Sequence, residues 1–264
     1  MKTKFYKALW GMEGTYEELI QHAASNGYAG IEAPLPPKDK QQEFARFMKQ
    51  CNMEYIAQVT TSGDHSKSFA EQVKQVQEFE PVLIVSHSAR DYMDFKEQVK
   101  FFEAALSIEK ETGIPIGHET HRTRAMFTPW TTARLLRELP ELKITADFSH
   151  WCCVCESLTL EEHQEDLMLA MNRAIHIHGR IGYEQGAQVP HPAAPEYANH
   201  LDTFVKWWNH ILVNRSKQGF EYSSITPEFG PPGYMHTLPF TNQAVSDLVE
   251  VNEWMKQYLA KIFL

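Results

Sequence analysis

Carboxylates and imidazoles recur in this chain at the ends of short apolar runs. They are Glu32, His87, Glu119 beside His118 and His121, Asp147 ahead of His150, His176 and His178 followed by Arg180, and Glu228. Aspartate, glutamate and neutral histidine hold divalent cations through oxygen and nitrogen. The same groups take and return protons near neutral pH. A set made mainly of carboxylates with one imidazole is oxygen-rich. It suits Mn2+ first, with Mg2+, Zn2+, Co2+ and Fe2+ as alternatives. An octahedral ion on four protein ligands keeps two positions open, where a sugar can bind through adjacent oxygens.

Residues so far apart in sequence meet only if the elements that carry them converge. The strand-like runs are KFYKALW (4–10), YAGIEAP (28–34), YIAQVT (55–60), PVLIVSH (81–87), IPIGHE (114–119), KITADF (143–148), AIHIHG (174–179) and SSITPEF (223–229). Longer amphipathic stretches lie between them. Thr15 and Glu18 form a capping-box pattern ahead of Leu19, Ile20, Ala23 and Ala24, and Asn26-Gly27 is a natural stop. Further helices are predicted from Glu97 to Thr112, Leu160 to Arg173, Thr203 to Lys217 and Asn242 to Phe263. The longer spacing before the last run predicts an extended loop plus a helix. Eight alternating units predict a (β/α)8 TIM barrel, with residues 1–264 as one domain. In that fold the C-terminal strand ends share one mouth, where active sites sit.

The motifs GIEAP, HETHR, ADFSHW, HIHGR and TPEFGPP, in this order, resemble the xylose isomerase-like TIM barrels. That superfamily holds sugar isomerases and epimerases together with endonuclease IV enzymes, and the resemblance runs over nearly the whole chain. It implies a metal held by Glu119, Asp147, His178 and Glu228, one from each of strands five to eight. It selects His178 over His176, which lies deeper on the same strand face. It makes Glu119 and Glu228 the catalytic acid and base. It gives His150 and Arg180 a substrate-binding role, although the arginine of the epimerases lies further from the histidine. Glu32 and His87 are read as further substrate contacts, against the alternatives of a buried structural carboxylate and a histidine bonded to backbone. The implied reaction is isomerisation or epimerisation of a sugar or small hydroxy-carbonyl through an enediolate. Alternatives are a lyase or dehydratase on keto sugars or inososes, an endonuclease IV-like abasic-site endonuclease, and a non-catalytic sugar-binding barrel.

The remaining features narrow the field. A net charge of −9 disfavours a broad nucleic-acid surface, and the partner that the resemblance implies is a small carbohydrate. The endonuclease reading also lacks an Asp-x-His pair after His178. Cys152, Cys153 and Cys155 crowd one segment and Cys51 stands alone, a poor disulfide or zinc framework that points to a reducing compartment. HETH is not the metalloprotease motif, because its histidines are three apart and lie at a strand end. The opening residues lack the apolar core of a signal peptide, and no stretch has the length of a membrane span. A cytoplasmic protein is expected, with homo-oligomerisation left open. Trp10, Trp130, Trp151 and His191 either line the mouth or pack around it.

Overall fold

The computed structural model describes residues 1–264. Eight parallel strands form the inner ring: β1 (Lys2–Ala8), β2 (Gly30–Pro34), β3 (Glu54–Thr60), β4 (Leu83–His87), β5 (Ile116–Glu119), β6 (Ile144–Ala146), β7 (Ala174–His178) and β8 (Tyr222–Thr226). They pair in sequence order and β8 pairs with β1, so the sheet closes. The chain is a (β/α)8 TIM barrel. The outer helices are α1 (Tyr16–Ser25), α2 (Gln41–Gln50), α3 (His65–Gln77), α4 (Phe95–Thr112), α5 (Pro129–Glu138), α6 (Ser149–Val154), α7 (Gln164–Arg173), α8 (Ala198–Lys217) and α9 (Leu248–Phe263).

Side-chain alternation divides each strand between two environments. Phe5, Ile31, Tyr55, Ile84, Ile116, Ile144, Ile177 and Ile225 belong to the large core between strands and helices. Tyr6, Ile56, Leu83 and Val85 form a smaller cluster of their own. Further along the strands polar groups replace these apolar ones: Glu32, Gln58, Glu119, Asp147, His178 and Thr226 meet one another at the mouth. Parity also separates His118 from Glu119. His118 points outward, against Phe69, Phe101 and Phe102, and its Nδ1 lies 2.6 Å from Ser88 Oγ. A Cβ on Gly117 would collide with Thr145 Oγ1, so β5 and β6 approach closely just below the site.

Local signals fix the helix ends. Thr15 and Glu18 complete the capping box of α1, and Asp94 with Glu97 does the same for α4. Each such cap stabilises its helix by about 1 kcal/mol. Gly113 ends α4 at φ 69°, a conformation that costs glycine least. Three expected helices begin elsewhere. The 160–173 stretch opens as a 3-10 turn over Glu161–His163 before α7. The helix expected from Thr203 starts five residues earlier, at Ala198. The one expected from Asn242 starts at Leu248, because Asp247 caps it and residues 237–244 form a turn with a Thr237–Ala244 bridge. No helix is long and apolar enough to cross a membrane.

Candidate metal centre

Glu119 ends β5, Asp147 follows β6 by one residue, His178 ends β7 and Glu228 follows β8 by two. Their potential ligand atoms all lie within 4.8 Å of one another, and all four residues are buried. His178 Nδ1 stands 3.0 Å from Glu228 Oε2 and 3.4 Å from Glu119 Oε1. Both oxygens of Glu119 and the Nδ1 of His178 are buried without a hydrogen-bond partner. Buried polar atoms normally find partners, so orphans converging from separate strands mark a place for a shared ligand. Three carboxylates and an imidazole nitrogen fit a divalent cation there.

The support beneath this group comes from the opposite side of the ring. Glu32 Oε1 lies 2.8 Å from His178 Nε2, and Glu32 Oε2 lies 3.0 Å from His176 Nε2. Thr226 Oγ1 also donates to Glu32 Oε2. Gln58 Nε2 donates to Glu32 Oε1 at 3.0 Å and to Glu228 Oε1 at 3.1 Å. Glu32 is thus engaged at both oxygens and buried behind His178. Of the two expected places for Glu32, a substrate contact or a buried structural carboxylate, β2 delivers it to the rear of the ligands. The alternative of a buried structural carboxylate is the one the geometry matches. His176 lies deeper on the face of His178, with its Nδ1 2.7 Å from Ser224 Oγ. Gln58 was not among the sequence candidates; its only signal was a polar residue inside the run YIAQVT.

Arg180 is also buried and tied on every side. Its Nε donates to Ser149 Oγ at 3.2 Å and its Nη1 to the Glu228 carbonyl oxygen at 3.2 Å. Its Nη2 donates to Asp147 Oδ2 and, at 2.9 Å, to His150 Nε2. The Asp147 Oδ1 accepts from the backbone N–H of Ser149 at 3.1 Å and from its hydroxyl. A Cβ on Gly182 would strike the Ser149 backbone, so the segment after β7 runs tight against the start of α6. That contact lays Arg180 over the ends of β6 and β8. His87 Nε2 contacts Glu119 Oε2 and remains partly exposed toward the mouth. The rings of His121 and His150 lie 3.8 Å apart between centroids, tilted by 46°.

Burial dominates the electrostatics, and local charges then sort the groups. Burial pushes the Asp147 carboxyl up to about 6, against the pull of Arg180. Burial acts the same way on Glu119, but His87 and His178 outweigh it and hold that carboxyl well below the usual range. His178 resists the downward push of burial because Glu228, Glu32 and Glu119 surround it, and its pKa is raised. Burial lowers His121 to about 4 and takes His150 well below the ordinary value, so both rings are neutral at pH 7.

A cavity of about 280 Å³ opens over the group, bordered by Trp10, Gln58, His87, His121, Arg180 and Tyr234. Trp10 meets Tyr234 edge-on at 4.9 Å, which places one of the four sequence-flagged aromatic and histidine residues at the mouth. The other three lie elsewhere: Trp151 is buried and donates to the Met126 carbonyl, exposed Trp130 lies against His163, and half-buried His191 lies near Glu250. Tyr234 had no distinguishing signal in the sequence. A larger cavity, about 1060 Å³, lies at the N-terminal ends of the strands among Tyr6, Ile56, Leu83 and Ile175. It contains none of the clustered ligand groups, and in this fold chemistry belongs to the other end.

Solved structures with the same closed ring are numerous. One is the probable 3-DHS dehydratase of petrobactin synthesis from Bacillus anthracis, 14% identical over 97% of this chain and 98% of that one, TM-score 0.62. A D-tagatose 3-epimerase-like protein is 14% identical over 98% of both chains, TM-score 0.60. A protein from Mycobacterium smegmatis, described as a xylose isomerase-like TIM barrel in complex with magnesium, is 9% identical over 94% of this chain and 89% of that one, TM-score 0.61. The fold is that of the xylose isomerase-like barrels. At these identities the likeness is one of fold, and function must be argued from the site. No family model matches the sequence, and no curated protein matches it.

Proposed function

We propose that this chain is a divalent-metal-dependent isomerase or epimerase of a small sugar or hydroxy-carbonyl compound, acting through an enediolate. The observation that carries the reading is the convergence of orphaned, buried ligand atoms from Glu119 and His178 upon Asp147 and Glu228. Held by these four residues, an ion such as Mn2+ would polarise a substrate carbonyl and its neighbouring oxygen. Glu119 and Glu228 are the acid and base. Glu119 is ionised at neutral pH and has an oxygen directed at His87, on the side open to the cavity. Gln58 fixes Glu228 from behind, leaving Glu228 Oε2 toward the site. Either carboxylate removes the carbon-bound proton next to the carbonyl, and the same or the other one returns it. His87 and Arg180, which border the cavity, contact the substrate, buried His150 acts behind them through Arg180 Nη2, and Trp10 and Tyr234 give the substrate an aromatic wall.

The test is solvent deuterium exchange in the presence of Mn2+, across a panel of ketoses, aldoses and keto-glycosides. Exchange at carbon next to the carbonyl supports the reading; release of water or of an aglycone redirects it to elimination from the same enediolate. Glu228→Gln keeps the fold and loses turnover by at least about 100-fold, the scale of one acid–base group. No exchange across the panel, or unimpaired exchange in this variant, overturns the assignment.

A further inference from the structure

The four ligand residues are not equally ready for a cation. Glu119 offers Oε1 free of hydrogen bonds and Oε2 beside only the His87 imidazole, and His178 offers an Nδ1 without a hydrogen bond. Asp147 offers neither of its oxygens free. The amide and hydroxyl of Ser149 hold Oδ1, and the guanidinium of Arg180 holds Oδ2. Arg180 Nη1 also stands 3.7 Å from Glu228 Oε2. A permanent positive charge therefore sits against two of the three carboxylates, almost wholly buried at the edge of the cavity. Charge-assisted bonds of this kind, made out of solvent, are the strong ones.

We infer that Arg180 and the divalent ion compete for Asp147, so that metal loading releases the guanidinium toward the cavity. The inference rests on the metal-binding reading of the site. Carboxylate oxygens can accept from a donor and ligate a cation together, but a shared Oδ2 gives each cation less than it gives one alone. Two positive charges held at one carboxylate also repel each other in a buried site. The guanidinium already lies against aromatic rings that it would keep on moving toward the cavity. The rings of Tyr234 and Trp10 lie 4.8 and 5.7 Å from it, at the wall of the cavity. Such aromatic faces attract a guanidinium. The freed Nη2 then faces the space where substrate would lie, so a donor to substrate is presented only when the ion is in place.

Calorimetric titration of Mn2+ into wild type, Arg180→Gln, Asp147→Asn and the double variant reads this competition without any turnover. Arg180→Gln binds Mn2+ at least about tenfold more tightly than wild type, the coupling typical of directly interacting charged groups. Asp147→Asn costs little affinity alone and at least about tenfold more in the Arg180→Gln background. Equal or weaker binding by Arg180→Gln, or an equal cost of Asp147→Asn in both backgrounds, overturns the inference while leaving the metal reading intact. Absence of Mn2+ binding by both wild type and Arg180→Gln overturns the metal reading itself. Because Arg180→Gln leaves buried carboxylates unpaired and can unfold, a second measurement uses the wild-type protein. The Arg180 Nε–H resonance, assigned by its loss in Arg180→Lys, shifts on saturation with Mg2+; an unmoved resonance at saturation overturns the inference.

Discussion

His178 faces carboxylates with both ring nitrogens, and its two neighbours have different tasks. Glu32 sets the tautomer by accepting at Nε2, leaving Nδ1 for the ion. Removing that partner frees the ring to rotate and to carry its proton on the wrong nitrogen. Glu32→Gln is expected to weaken Mn2+ binding by about 10- to 100-fold with the fold retained. Calorimetry and circular dichroism on the same sample check both halves of that statement, and unchanged affinity refutes the role. The sequence disclosed Glu119, Asp147, His178 and Glu228 as strand-end polar residues, because period-two alternation makes a charged residue at an inward position conspicuous. It did not disclose the place of Glu32, since its contact with His178 spans 146 residues and exists only across the closed ring. The Arg180–Asp147 pair was hidden for a related reason: it joins two loops whose approach depends on the Gly182–Ser149 contact.

At the scale of the element, β5 shows how one residue's shift changes the environment. Glu119 turns to the mouth, and His118 turns into the layer of α3 and α4. Burial there lowers the His118 pKa to about 3, from an ordinary value near 6.5. Between those values the unfolded chain binds a proton that the folded chain refuses. Stability therefore rises with pH in that window and falls as the medium is acidified below about 6.5. His118 alone contributes a slope of up to about 1.4 kcal/mol per pH unit. Denaturant unfolding of His118→Gln across pH 4 to 7 is expected to show a shallower dependence than wild type; parallel curves refute it. The glycine end of α4 and the capped end of α1 were legible, since Gly113 and the Thr15–Glu18 box act through the local backbone, while α4 begins at Phe95, two residues before the expected Glu97. The starts of α7 and α9 were not, because apolar spacing continued into segments that the backbone turns out of the helix.

For the whole molecule, the proposed metal centre would draw one ligand from each of the four units in the second half of the chain, and Glu32 and Gln58 behind it come from the first half. Ion binding should therefore stabilise the entire barrel rather than one loop. At a free-ion concentration of a hundred times Kd the gain is about 2.7 kcal/mol. For a chain of this size that raises Tm by roughly 5 to 10 °C. Thermal denaturation with and without Mn2+, reversed by a chelator, measures it. No shift at saturating Mn2+ refutes the coupling. All eight strands were readable along the chain, whereas α2, α3, α5 and α6 were not marked individually. The closure of β8 onto β1 followed from the count of units, not from any residue.

The bond between Glu32 and His178 has a temporal meaning as well as a spatial one. β2 and β7 are never neighbours in the sheet, and their side chains meet only when the last strand has found the first. Half-built barrels would hold the ligand residues with His178 unrestrained. A fully competent centre is consequently a sign of completed assembly, and a cation arriving early in folding would find a looser, weaker cradle than one arriving late.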